Sequence, residues 1–537
     1  MRDRSIESLV SGFLRSAAEH PQRPALDVDG AAYTYAQLFD LSSRLASMIE
    51  RHAGATERLC AVLGYRSLYA YLGVLGTLIG GRGYVPLNPM FPVSRNAAMI
   101  NASGVRVVIA DHTGCGLLSE LLPLIDHPLV ILGTDDPIHK QIESAGLEHQ
   151  FVSLGELEAW PTADPSPAGG REIAYLMFTS GSTGVPKGVM VSHENTRHYI
   201  TAMLERYDLT AEDRFSQMFD LTFDLSVFDM FLCWEVGGRL CVVPHASRFM
   251  PAKFVNDKQL TVWFSVPAVI GFMRKLRLLK PDFFPSLRLS LFCGEPLPAS
   301  GVELWTAAAR NSIVDNLYGP TELTIACTAY RWDPAVSPSK SVNGVVPIGR
   351  AFPGLEAAVV DEKLQPVETG KMGELCIRGP QTTLGYWENR TLTDERFVSL
   401  PGTETSQNRY LWYRTGDLVR YNEDGDLIFF GRVDHQVKIL GYRVELGEIE
   451  HQIRLVSQSD LVAAIPWPLN ESGASSVEAF VTGSKATEGE IIKACQDTMP
   501  DYMVPQKVHL VESMPLNVNG KIDRKQLRQI LEDRNDE

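Results

Sequence analysis

The chain has 537 residues, of which 45% are hydrophobic and 21% charged, and a formal net charge of −15. That length exceeds one compact domain and predicts about two to four units, while the composition is that of an ordinary soluble globular enzyme. The acidic balance excludes a surface that tracks nucleic-acid phosphates, which needs concentrated Lys and Arg. Residues 1–7, Met-Arg-Asp-Arg-Ser-Ile-Glu, carry no apolar signal core. The most apolar stretch, 68–79, is shorter than the ~20 residues a membrane span needs, so a soluble cytoplasmic protein without membrane or nucleic-acid partners is expected. The eight cysteines (60, 115, 233, 241, 293, 327, 376, 495) are scattered singly, a pattern that indicates neither a zinc site nor a disulfide framework.

In chain order, residues 42–51 read as an amphipathic helix, 59–63 as a strand, 68–79 as a buried helix and 105–110 as a strand. This alternation predicts α/β layers with a largely parallel sheet. The Pro/Ala/Gly-rich stretch 160–170 reads as a surface crossing. Residues 175–193, Tyr-Leu-Met-Phe-Thr-Ser-Gly-Ser-Thr-Gly-Val-Pro-Lys-Gly-Val-Met-Val-Ser-His, then carry a short strand into hydroxyls, glycines and one lysine. Gly181, Gly184 and Gly188 allow a positive φ and close approach to an anion. Thr179, Ser180, Ser182 and Thr183 supply donors and Lys187 a positive charge, a composition suited to a nucleoside triphosphate. The loop departs from the common P-loop, which continues from Gly-Lys into Ser or Thr and a helix. Here Pro186 precedes the lysine, Gly188 follows it, and a second strand comes next, so the loop joins two strands as a flap.

Further along, residues 316–322, Asn-Leu-Tyr-Gly-Pro-Thr-Glu, set an aromatic ring for base stacking beside a carboxylate able to hold Mg²⁺ near phosphates. Residues 413–418, Tyr-Arg-Thr-Gly-Asp-Leu, place a carboxylate in a turn, suited to gripping ribose hydroxyls. Residues 431–450, opening Gly-Arg-Val-Asp-His-Gln-Val-Lys, and 519–524, Asn-Gly-Lys-Ile-Asp-Arg, complete the series. Singly, each of these could be an ordinary turn; in this order they are far more specific. A boundary is expected near 432–434, giving a core domain over 1–432 and a small α+β lid over 433–537.

With these motifs in place, the chain resembles, over nearly its whole length, the adenylate-forming superfamily of nonribosomal peptide adenylation domains, acyl-CoA synthetases and luciferases. The resemblance implies an α/β fold with a large multi-sheet N-terminal adenylation domain and a small mobile C-terminal lid that rotates between two half-reactions. A carboxylate first attacks the α-phosphate of ATP, and a thiol then displaces AMP. It further implies that Thr179, Ser180, Gly181, Ser182, Thr183, Gly184 and Lys187 hold the β- and γ-phosphates. Tyr318 would stack on adenine and Asn316 contact its amino edge, with the backbone of Gly294, Glu295, Pro296 and Gly319 around them. Thr321 would bind the α-phosphate, Glu322 the Mg²⁺, and Asp417 and Arg432 the ribose. Lys521 would bridge substrate carboxylate and ribose during adenylation, offsetting repulsion between two anions. Asp434 would be the hinge, and Lys438 would face the site after rotation.

The acid is expected to be an amino acid, because the resemblance assigns Asp224 to the substrate α-ammonium, and a buried carboxylate without a cation is costly. The residue also fits a helix N-cap. The implied pocket wall of Leu225, Phe228, Phe264, Leu291, Cys293, Leu317, Ile325 and Ala326 is apolar and small. It looks like that of stand-alone L-proline ligases, which load a carrier protein for natural products; Cys293 also resembles D-alanine:carrier-protein ligases. The two substrates differ by little that a pocket can weigh, a methylene being worth about 1–3 kcal/mol. The chain ends 16 residues after Lys521, so a free-standing ligase acting on the phosphopantetheine arm of a separate carrier protein is expected. The basic residues between Lys521 and Arg528 fit either contact with an acidic carrier or a solvated helix.

Overall fold

A computed structural model describes residues 7–54, 57–134, 148–181, 186–248, 250–402, 409–434, 436–470, 473–516 and 522–535. The seven-stranded sheet runs Gln150–Ser153, Val130–Gly133, Val107–Ala110, Leu59–Leu63, Gly83–Leu87, Ile173–Thr179, Lys187–Ser192. Its neighbours are parallel except the last pair. Leu68–Ile79 makes the crossover between two of these strands and starts where the Ser67 side chain accepts from the Ala70 amide. Gly76 lets it lie close against the helix Tyr35–His52, since a Cβ there would come within 3.1 Å of Leu45. That second helix begins seven residues before the expected position 42, because Thr34 and Gln37 form a reciprocal capping box. The strand expected over 105–110 is shorter, Val107–Ala110. Residues 160–170 form an exposed crossing, pinned by the Ala163 amide to the Ser43 carbonyl (3.1 Å) and the Ser166 amide to the Ile79 carbonyl (3.0 Å).

A nine-stranded sheet has parallel strands at its centre and antiparallel pairs toward both edges. In it Leu289–Phe292 and Ile313–Tyr318 lie side by side, Phe292 opposite Asn316. Their carboxyl ends therefore deliver the turns at 293–296 and 319–322 to one place, the usual location of a ligand in such sheets. A five-stranded antiparallel sheet follows, and its strands Trp412–Tyr421 and Leu427–Arg432 set Asp417 opposite Arg432.

From Gln436 on, the chain builds two small sheets and three longer helices, Leu446–Ser457, Glu488–Thr498 and Arg524–Asn535. Both sheets and the first two of these helices enclose an apolar core around Ile439, Ile449, Ile453, Val462 and Ala479, and the third packs through Leu527 and Leu531 onto Ile465 and Phe480. The whole is a large multi-sheet N-terminal α/β domain with a small C-terminal α+β domain. Among the described residues no helix is long and apolar enough to cross a membrane.

Candidate active site

The strands Ile173–Thr179 and Lys187–Ser192 pair antiparallel with Thr179 opposite Lys187, so the glycine-rich loop does join two strands. Ser182, Thr183 and Gly184 lie outside the described residues, as does Lys521. Ser180 is buried, and its Oγ donates to the Arg443 carbonyl (2.9 Å) and accepts from the Glu445 amide (3.2 Å). The Gly181 amide donates to Glu448 Oε2 at 3.2 Å. Lys187 Nζ lies 3.7 Å from Glu445 and 5.5 Å from the Tyr386 ring centre. Burial, with Arg443 nearby, pulls its ammonium down to about 8.

One cavity is lined by Gly294, Glu295, Pro296, Asn316, Leu317, Tyr318, Gly319, Asp417 and Arg432, among others. The strand order thus brings every described residue expected around adenine and ribose to a single hollow. Asn316 donates to the Pro347 carbonyl (2.9 Å) and the Val346 carbonyl (3.4 Å), which leaves its amide oxygen for a ligand. The Tyr318 hydroxyl donates to Asp417. Arg432 donates to Asp417 Oδ1 at 2.5 Å and takes Asp434 bidentately at 2.7 and 2.8 Å. Asp417 lies within the strand Trp412–Tyr421 and not in the expected turn; Gly416 beside it has φ +73°, and a Cβ there would meet Arg432 Nη2 at 2.6 Å.

An adjoining cavity is lined by Thr179, Ser180, Asp224, Leu225, Cys293, Thr321, Ile325, Lys438 and Arg443. Lys438 borders both cavities, and burial lowers its pKa. Asp224 is 7% exposed and accepts the Ile325 amide at 3.3 Å. It precedes the short helix Leu225–Val227, but its side chain makes no cap hydrogen bond, so the helix-cap reading fails. Burial pushes its carboxyl up to about 6. Burial likewise raises the Cys293 thiol to about 12, an inert packing group. Of the expected wall, Leu225, Cys293 and Ile325 line this cavity and Leu317 the neighbouring one. Phe228, Phe264, Leu291 and Ala326 are buried in the core, where the Phe228 and Phe264 rings meet edge to face at 4.8 Å.

Glu322 is fully buried, with Tyr386 donating to one carboxylate oxygen and Arg443 to the other, each at 2.7 Å. Burial alone would raise this carboxyl, but the charges of Arg443 and Lys187 outweigh it and hold it well below the carboxylate range. The expected Mg²⁺ therefore does not fit this arrangement, since a guanidinium already takes the cation's place. Among the described residues no cluster of three or more His, Cys, Asp or Glu could hold a metal. Sequence reasoning missed Arg443, Glu448, Tyr386 and Arg95, whose guanidinium pairs with Glu448 at 2.7 Å in a buried contact. The first two lie within the motif at 431–450 and could have been singled out as its other charged residues. For Tyr386 and Arg95 the sequence carries no local signal.

A family profile described as AMP-binding enzyme matches residues 13–387, and one described as AMP-binding enzyme C-terminal domain matches residues 448–521. Linear gramicidin synthase subunits B and C of Brevibacillus parabrevis are 33% and 31% identical to 96% of the chain, which spans only 9% and 6% of their lengths. The Vibrio cholerae adenylation domain AlmE, solved in complex with glycyl-adenosine-5'-phosphate, is 34% identical with a TM-score of 0.86, covering 99% of both chains. The structure of IdnL7 is also 34% identical, with a TM-score of 0.71 over 98% of this chain and 99% of that one. With two adjoining cavities at the ends of these strands and relatives alike over nearly its full length, the chain belongs to the AMP-binding enzyme family and carries both that family's large domain and its C-terminal domain.

Proposed function

We propose that the chain activates a small apolar amino acid, L-proline, with ATP and transfers it to the phosphopantetheine thiol of a separate carrier protein. The observation that carries the reading is Asp224, a buried carboxylate facing the smaller-molecule cavity with no ion-pair partner among the described residues. A substrate ammonium supplies the missing charge, and a plain fatty acid does not. The apolar wall of Leu225, Cys293 and Ile325, backed by Phe228 and Phe264, leaves room for a short side chain.

In the first half-reaction the substrate carboxylate oxygen attacks the α-phosphorus of ATP and pyrophosphate leaves. Ser180, Gly181 and Lys187 cradle the outer phosphates, joined by Thr179, Ser182, Thr183 and Gly184. Thr321 meets the α-phosphate, Tyr318 and Asn316 the adenine, Asp417 and Arg432 the ribose. Lys521 neutralises the two approaching anions. In the second half-reaction the acceptor thiol gives its proton to solvent, its sulfur bonds to the acyl carbon, and AMP leaves with the electrons of the broken acyl carbon–phosphate oxygen bond. Lys438, at the junction of the two cavities, places positive charge beside the departing phosphate. A third cavity of about 570 Å³, lined partly by Phe91, Phe223, Gly441 and Tyr502, shares those four residues with the amino-acid cavity. It supports entry of a long thin thiol arm between the two domains. Rotation about Asp434, with the domains meeting at 432/433, would exchange Lys521 for Lys438.

A second reading, a smaller amino acid such as D-alanine or glycine, is favoured by Cys293 in the wall and by the glycyl-adenylate bound to the similar AlmE. ATP–pyrophosphate exchange with L-proline, D-alanine, L-alanine, glycine and butyrate separates the readings. Exchange led by L-proline supports the first, exchange led by D-alanine or glycine replaces it with the second, and exchange led by butyrate sinks both.

A further inference from the structure

Behind the wall that carries Asp224, the hydroxyls of Tyr84, Tyr175 and Tyr199 are buried with no hydrogen-bond partner among the described residues, and each side chain is at most 1% exposed. Their placement follows from the fold. On the strands Gly83–Leu87 and Ile173–Thr179 side chains alternate between the two faces, so Tyr84 shares a face with Pro86 and Tyr175 shares it with Met177. Pro86 and Met177 line the amino-acid cavity, which puts the two tyrosines one step behind it, opposite each other across the strand pair with their rings 5.8 Å apart. Tyr199, on the helix His193–Arg206, meets the Phe228 ring at 6.5 Å. Phe228 follows Asp224 by four residues, about one helical turn. Burial lifts all three phenols far above their usual value, and the nearby Asp224 charge lifts them further. A buried hydroxyl without a partner is costly, and phenylalanine would fill the same space without that cost. Packing therefore does not account for three of them around one buried carboxylate.

We infer that the Tyr84, Tyr175 and Tyr199 hydroxyls form a reorientable dipole shell for Asp224, turning their O–H bonds toward the carboxylate when it holds a substrate ammonium. The inference rests on the amino-acid reading of that cavity. An O–H with no fixed acceptor rotates freely about its C–O bond. While the carboxyl is protonated the three dipoles have no preferred direction; once it ionises, their positive ends turn toward it and offset part of the desolvation in a low-dielectric interior. The tyrosines touch neither the amino acid nor the nucleotide and act through Asp224, as positioning residues. The other charged or titratable groups facing Asp224 are Lys438, Cys293 and Glu322, with Arg95, Arg443 and Tyr502 lining the same cavity. Removing a tyrosine hydroxyl leaves all six in place, so a change in the titration of the site reads the hydroxyls.

The test is the acid limb of the pH profile. At saturating ATP, which fills the cavity holding Glu295, kcat/KM for the amino acid reports the ionisation of the enzyme before the amino acid binds, and burial places the Asp224 carboxyl at about 6. The assay is ATP–pyrophosphate exchange with whichever of L-proline, D-alanine or glycine leads in the wild type. Y84F, Y175F and Y199F should each move the limb up by roughly a third of a unit and the triple variant by about one unit, the scale of three hydroxyl dipoles near one charge in the interior. The triple variant should then show kcat/KM about tenfold below wild type at about pH 5 and equal to it at about pH 8.5. Each single variant should unfold at the wild-type temperature or above at about pH 5, because it removes an unpaired buried hydroxyl. Y207F is the control: its buried hydroxyl donates to Asp315 at 2.9 Å, so the variant should unfold at a lower temperature and leave the limb in place. The double variant Y84F/Y175F serves where the triple fails to fold. A limb that moves by less than about two tenths of a unit in these combined variants, or by as much in Y207F as in the single variants, overturns the inference. Exchange led by butyrate in the wild type sinks the amino-acid reading and this inference with it, whereas amino-acid-led exchange with an unmoved limb sinks the inference alone.

Discussion

Replacing Asp224 by Asn should cost the enzyme its substrate and at the same time make the free protein more stable. The carboxyl is displaced by burial from 3.8 to about 6, which corresponds to about 3 kcal/mol of preference for the neutral form. The folded state therefore holds the proton more tightly than the unfolded chain. Stability falls as pH rises from about 4 to about 6 and stays reduced above that. Asn keeps an acceptor for the Ile325 amide at its amide oxygen and carries no charge to desolvate. D224N should thus unfold at nearly the wild-type temperature at pH 4 and at a higher temperature at pH 7, by an amount equivalent to a few kcal/mol. In amino-acid-dependent ATP–pyrophosphate exchange, losing one partner of a buried ion pair costs about 3–5 kcal/mol, or roughly two to three and a half orders of magnitude in kcat/KM for the amino acid. The KM for ATP should hold. D224N retaining activity within tenfold of wild type, or a stability difference that does not grow with pH, would refute the reasoning.

Other positions give separate outcomes. D417N should raise the KM for ATP about a hundredfold, leaving that for the amino acid in place, because it weakens the contacts to Tyr318 and Arg432 that shape the nucleoside cavity; equal changes in both constants would contradict this. The Lys187 ammonium, drawn down to about 8 by burial and Arg443, should lose its charge as pH rises through that value. Pyrophosphate affinity of the free enzyme, followed by calorimetry, should then weaken above about pH 8, and K187R, which does not titrate in this range, should flatten the profile. F228A should cost about 3–5 kcal/mol in chemical denaturation, since the ring is buried against Phe264, and should shift exchange toward bulkier amino acids.

Legibility in the sequence followed from how local each signal is. The strand Leu59–Leu63 and the helix Leu68–Ile79 could be bounded because an unbroken apolar run is punctuated by Ser67 and Gly80. The start of the helix Tyr35–His52 could not be read from apolar spacing; its signal is the polar pair Thr34 and Gln37. Motif residues such as Tyr318, Asp417 and Arg432 converge because parallel strands end together and because the Asp417–Arg432 register is set by a hairpin. The contacts of Arg95 with Glu448, separated by 353 residues, and of Arg443 with Glu322, separated by 121, are products of domain docking. No window of sequence contains them. The pocket wall was legible as composition, but its depth was not, since Phe228 and Phe264 pack on each other behind the residues that face the cavity.

The account stands on recognition of a substrate ammonium by Asp224, and two acids of the same shape isolate that contact. L-proline and (S)-tetrahydrofuran-2-carboxylate differ in the ring by an ammonium against an ether oxygen, and adenylate formed from each can be measured by mass spectrometry with ATP and magnesium at pH 7.5. The account predicts prolyl-adenylate and at least a hundredfold less product from the ether, in line with the cost of a buried unpaired carboxylate. Comparable adenylate from both would contradict it, because the cavity would then be reading shape without charge.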